Sequence, residues 1–225
     1  MRIPPVITIQ SAFIISAAIL LNVAAFGQSF HILYASNIDK GDSVINMTNT
    51  GENGASLSGP GFGGAAGNLC FNLYAFSPDE QLVACCSCLI TPNGLASVSV
   101  TNDLVSNTLT GIRPNSTVIK LITTATGAND GVPAFTGTSC TNSAAIAGSI
   151  GLPLAAGGLA WGTTIHATPV AGAPYAVSEL PFRLGTLSPQ ELASVTNRCA
   201  NIIGNGSSYG ICRSCRAGGL NASRL

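Results

Sequence analysis

Eight cysteines, three of them packed into "CCSC" at positions 85–88, restrict the folds open to this 225-residue chain more than any other feature. They are Cys70, Cys85, Cys86, Cys88, Cys140, Cys199, Cys212 and Cys215. What they do depends on the compartment the chain occupies, and the first residues address that. Arg2 is a short positive start, Ala12 to Ala25 form an apolar run, and Ala25-Phe26-Gly27 places small residues at the −3 and −1 positions before Gln28. The apolar run is about 14 residues long, where a membrane span needs about 20. Residues 1–27 therefore read as a signal peptide and 28–225 as one exported domain, with no membrane contact after cleavage. Because the residue directly after the cleavage site is Gln28 and not a cysteine, a lipid anchor is disfavoured. Export places all eight cysteines in an oxidising compartment, and their even number suits pairing.

Spacing narrows the pairing without settling it. If "LVACCSCLI" (82–90) is a strand, Cys85 and Cys86 point to opposite faces and need different partners. Cys70, on the neighbouring strand, is one candidate. Cys212 and Cys215 form a C-x-x-C pair that is open to three interpretations. Cys85 or Cys86 with Cys88, Cys212 and Cys215 would make a four-thiolate zinc site, although taking Cys85 and Cys88 as the spaced pair leaves Cys86 unexplained. A thioredoxin-type centre needs its C-x-x-C at a helix N-terminus, and haem attachment needs a His after the second cysteine; neither condition is met. The third interpretation is a covalent clamp, in which the tail is bridged back onto the strand around Cys85–Cys88. It calls for no cofactor.

The elements to be clamped are mostly β. The 26 glycines and 12 prolines suit short elements joined by turns. "SVINMTNTG" (43–51) reads as an early strand, and "LCFNLYAF" (69–76) alternates with bulk on both faces, as a central strand does. "LVACCSCLI" follows after the turn "SPDEQ", which predicts an antiparallel pair. Further strands are expected over 95–105, 116–126, 159–168 and 175–184, the last demoted to an edge or bulge by Pro181. Residues 52–68 read as a flexible glycine-rich loop, and 127–158 as a second loop carrying Cys140. About six or seven strands at this spacing fit an antiparallel β-sandwich of the Ig-like kind. One C-terminal helix is expected over about 189–204: Ser188 caps it, Pro189 opens it and Glu191 completes a capping box. Leu192, Val195, Cys199 and Ile202 then share its apolar face.

Charge excludes some partners. Removing Arg2 from nine Lys and Arg leaves eight against nine Asp and Glu, so nothing electrostatic favours nucleic acid or anionic lipid. "GSSYG" (206–210) matches a nucleophile elbow around Ser208, but no acid or His follows it to complete a triad. The two histidines, His31 and His166, lie far apart in the chain, and Asp79 and Glu80 belong to a turn. Asp103, Asp130 and Glu179 are further candidates for paired acid chemistry, Glu191 being accounted for as part of the helix cap.

The segments "YAFSPDEQLVACCSCLITPNGL" and "ICRSCRAG" resemble those of an uncharacterised group of secreted bacterial proteins. That resemblance implies an exported bacterial origin and brings no established activity. Two functions from different classes remain open. One is an extracellular structural or adhesive module acting through self-association or contact with a cell surface or carbohydrate. The other is a secreted hydrolase or ligand-binding module, in which His166 near Trp161 works with a carboxylate.

Overall fold

The computed structural model describes residues 28–55, 66–129, 132–140, 152–166, 172–213 and 216–217. Residues 1–27, which the sequence reads as a signal peptide, together with Asp130, Cys215 and the centre of the glycine-rich loop (56–65), lie outside these residues. The strands are β1 (Phe30–Ala35), β2 (Val44–Asn49), β3 (Leu69–Phe76), β4 (Leu82–Ile90), β5 (Leu95–Ser99), β6 (Thr117–Ala125), β7 (Gly127–Asn129), β8 (Val132–Ala134), β9 (Gly158–His166), β10 (Ala176–Pro181), β11 (Arg183–Leu184) and β12 (Arg216–Ala217), with helix α1 at Pro189–Gly204. They form two five-stranded sheets, ordered β11-β1-β6-β3-β4 and β10-β9-β2-β5-β12, and a separate β7-β8 hairpin. Neighbouring strands pair antiparallel throughout.

Alternation decides what each face meets. Leu69, Phe71, Leu73, Ile119 and Leu121 of the first sheet pack on Ile45, Met47, Ala96 and Val98 of the second. The opposite face of the first sheet carries Phe30, Tyr74, Phe76, Cys85 and Ile122, which pack beneath Val195, Cys199 and Ile202 of α1. Every residue of β3 is buried, because a sheet covers one face and a helix contributes to the cover on the other. The sheets approach closely along β9. A Cβ on Gly158 would lie 2.5 Å from Thr123 Cγ2, and one on Gly162 would lie 2.5 Å from Leu33 Cδ2. Glycine at these two inward positions is what lets the backbone of β9 reach the facing sheet.

The helix starts as its sequence predicts, since Ser188 Oγ accepts from the Glu191 amide at 3.1 Å. The carboxylate of Glu191, expected to complete the capping box, instead pairs with Lys120 on β6. The attraction of a cation on the sheet beneath outweighs a local bond to the backbone.

Three further expectations differ from the fold. β1 was not anticipated, although Phe30, Ile32 and Tyr34 alternate with His31, Leu33 and Ala35. The strand expected over 95–105 stops at Ser99 and passes into a π-helical turn, Val100–Leu104. Side chains there compete with the sheet for backbone groups. Asp103 accepts from the Ser99 amide at 3.0 Å, and Asp42 accepts from the Ser99 hydroxyl at 2.5 Å and the Thr101 amide at 3.0 Å.

The expected strand at 175–184 divides between the two sheets. The Phe182 amide bonds Ala160 O at 2.9 Å, so alternate residues of β10 face β9 and Pro181 falls on the open side, where no donor is required. Beyond Phe182 the chain leaves the second sheet and pairs His31 with Leu184 and Ile32 with Arg183 in the first. The strand total exceeds the expected six or seven through β1 and through β7, β8, β11 and β12. Those four have two or three residues each, too few to show a period.

Candidate functional site

The cysteines converge on β4, the edge strand of the first sheet. In its register Tyr74 lies opposite Cys85 and Leu73 opposite Cys86, so the vicinal pair straddles the sheet. Cys85 faces α1 and is bonded to Cys199, with Cα atoms 6.0 Å apart. Cys86 faces the inter-sheet core and is bonded to Cys212 in the tail, at 5.6 Å. The third bridge joins Cys70 to Cys140, at 5.8 Å, and pins the loop after β8 to β3. Cys88 is also disulfide-bonded, and among the described residues no cysteine is free.

Two of the alternatives left open by the spacing fall away here. Cys70 is not a partner of the β4 cysteines. It stands opposite Leu89, and Cys85, the cysteine on the same face, is four residues further along β4, about 13 Å at strand rise. The zinc arrangement also fails, because Cys85 and Cys212 are joined to Cys199 and Cys86 and so present no thiolates.

The tail does more than anchor a sulfur. The free edge of β4 is bonded by Cys85 N–H to Gly210 O at 2.8 Å and by Leu109 N–H to Val83 O at 3.0 Å, while the Gly210 amide bonds Asn107 O at 2.6 Å. Residues 107–109 and 210–212 thus cover an apolar edge that would otherwise offer open backbone groups for pairing. Ser208, the middle of "GSSYG", lies in the turn leading to this cover. It adopts φ 64°, and its carbonyl accepts from Asn107 Nδ2 at 2.7 Å.

Beside α1 lies a cleft of about 320 Å³ lined by Phe76, Lys120, Glu191 and Arg198. Lys120 Nζ sits 4.6 Å from the centroid of the Phe76 ring and the Arg198 guanidinium 6.0 Å. Lys120 is held by Glu191, and Arg198 donates to Glu80 O at 2.9 Å. Both cations are thus engaged by the protein itself, and the cleft works as a polar lock between helix, sheet and the 77–81 turn.

The catalytic candidates are dispersed. His166 and Trp161, paired in the hydrolase hypothesis, are five residues apart on β9 and so face opposite ways. Trp161 stands beside Pro181 and Asn46, whereas the His166 ring contacts Ser178 Oγ at 3.0 Å. Asp79 accepts from Gln81 Nε2 at 3.0 Å and from Ser77 within its turn. Glu179 is exposed on β10, opposite Thr163.

His31 is 4% exposed and its Nε2 lies 3.1 Å from Gln28 O. Burial lowers its pKa below the ordinary histidine value, opposed by the Gln28 carbonyl. The unfolded chain therefore binds a proton more readily than the folded one, so stability falls as pH drops below about 6.5. Thermal melts of His31→Gln should show a smaller loss of Tm between neutral and mildly acidic pH than the parent. An unchanged slope would remove His31 as a source of that loss.

Comparison with known protein families, with curated proteins and with solved structures finds no match for this chain.

Proposed function

We propose that this chain is an exported bacterial protein that acts outside the cell as a structural or adhesive module. The carrying observation is the arrangement on β4. Two adjacent cysteines on one edge strand are tied, on opposite faces, to a helix and to a tail 114 and 126 residues away. Such bridges persist in oxidising compartments, and their effect is to hold the C-terminal helix and tail against the sheet. The resemblance of "CCSC" and "ICRSC" to segments of secreted bacterial proteins supports the same reading, as does the small number of charged residues. The hydrolase alternative has less behind it, since the His166 ring contacts Ser178 Oγ and faces away from Trp161.

Expression with the native N-terminus in an exporting bacterium, followed by N-terminal sequencing, should yield a protein beginning at Gln28. Sedimentation of that protein, with a pull-down on whole cells and on insoluble polysaccharide, should show self-association or surface retention. A protein that stays monomeric and is retained by neither surface would overturn the adhesive role.

A further inference from the structure

An end strand of a sheet offers unpaired backbone N–H and C=O groups to any strand that comes alongside. The two large sheets end on β11 and β4, and on β10 and β12. β4 is covered by the bonds that residues 107–109 and 210–212 make to it, and β11 and β12 have two residues each, too few to template a partner. β10 differs, with six residues of which five are exposed. Its register with β9, anchored by the Phe182 amide on Ala160 O at 2.9 Å, turns the backbone groups of Ala176, Ser178 and Leu180 toward β9. The N–H and C=O groups of Val177 and Glu179 therefore point away from the sheet, and Tyr175, one residue before the strand, is in phase with them.

This edge is complementary to itself. Tyr175, Val177 and Glu179 share the outer face, with Val177 beside Ile165 and Glu179 beside Thr163. Val177 is 59% exposed and Tyr175 39%. An antiparallel pairing of two copies about a two-fold axis through Val177 sets Val177 against its own copy and Tyr175 against Glu179. Each of the three residues then donates and accepts a backbone bond across the junction. Pro181, which has no N–H to give, falls beyond them, opposite Ala173. The two Glu179 carboxylates stand about 13 Å apart along the strands, further than the screening length of about 8 Å at physiological salt. An axis through Glu179 would place them face to face, which is destabilising, and would set Pro181 against Val177. One through Ser178 would bring them diagonally adjacent and leave the Tyr175 carbonyl facing Pro181. Charge and the missing proline donor thus select the same register.

We propose that β10 pairs with β10 of a second copy, antiparallel about Val177, so that the second sheets of two copies become one continuous sheet. A two-fold contact occupies the same edge on both copies, so assembly closes at the dimer. This pairing rests on the self-association in the proposed function and gives it a surface and a stoichiometry.

Sedimentation of the oxidised chain from about 10 μM to 1 mM, a range suited to an interface this small, should show a monomer–dimer equilibrium. V177P should weaken it at least tenfold while keeping the fold, because the amide it removes makes no bond to β9. V177K and V177E should each weaken it as much by placing like charges on the axis, and mixing the two should restore a dimer. Circular dichroism of each variant should match the parent. A parent dimer that is indifferent to all three substitutions would overturn the β10 pairing and leave the adhesive role standing on another surface. V177K dimerising more tightly than the parent would overturn it as well, since Val177 would then face Glu179. A parent that stays monomeric throughout would also overturn it, and the adhesive role would then turn on retention by cells or polysaccharide.

Discussion

Serine at both Cys85 and Cys199 should lower the unfolding free energy by about 3 kcal/mol, the chain-entropy value for a loop of about 15 residues. The bridge spans 114 residues in sequence, but Cys86–Cys212 already ties the adjacent residue to the tail. In the unfolded chain it therefore closes only the loop through 85–86 and 199–212, and removing it enlarges the unfolded ensemble to that extent. The folded state loses less, because Val195 and Ile202 still pack α1 onto the sheet. The expected signature in guanidinium unfolding is a lower midpoint with helix content retained at zero denaturant. Serine at both Cys86 and Cys212, whose bridge spans 126 residues, should cost a similar amount and in addition loosen the cover on β4. Amide exchange at Cys85 and Leu109 should then accelerate, since both amides bond across that edge. A loss below about 1 kcal/mol for either pair would show that native contacts alone hold the helix and tail. Mass spectrometry of the unreduced protein should recover the Cys70–Cys140, Cys85–Cys199 and Cys86–Cys212 peptides. It should also recover a peptide joining Cys88 to Cys215, the cysteine that the other pairs leave over.

Asn49→Ala should be the most damaging substitution outside the cystines, at about 3 to 5 kcal/mol. Asn49 is fully buried. Its Nδ2 donates to Gly67 O at 2.8 Å and Ile90 O at 2.9 Å, and its Oδ1 accepts from the Gly51 amide at 3.0 Å. One side chain therefore satisfies three backbone groups, tying the end of the glycine-rich loop and the end of β4 to β2. Alanine leaves those groups with no partner in a place that water reaches poorly, and an unmet buried group costs about 1 to 3 kcal/mol. Asp at the same site keeps the acceptor and loses both donor bonds, so it should rescue little. Chemical denaturation of both variants checks this, and a cost near that of an ordinary surface change would mean that water replaces the lost bonds. No spacing or period in the sequence marks Asn49, because the two carbonyls it donates to are 18 and 41 residues away.

Much of the frame was legible because it rests on local rules. β3 and β4 occupy 69–76 and 82–90 as their alternation and flanking turns predict, and α1 begins at Pro189 under its Ser188 cap. The misses have a common cause. β5 ends early because Asp42, more than fifty residues away, supplies acceptors that the strand pattern does not encode. The 175–184 run reads as one strand because periodicity carries no information about which sheet a residue joins.

The cysteines divide along this line. That Cys85 and Cys86 face opposite ways could be read from their adjacency, because alternation along a strand is a property of the backbone. That Cys199 lies on the inner face of a helix could be read as well, because 3.6-residue periodicity places it with Val195 and Ile202. That Cys85 meets Cys199, Cys86 meets Cys212 and Cys70 turns away to Cys140 follows from the packing of distant segments. A disulfide forms only where two Cα atoms come within about 7 Å, and for segments seventy or more residues apart that distance is set by how the sheets and helix pack. Local geometry chose the direction of each sulfur, and packing chose its partner.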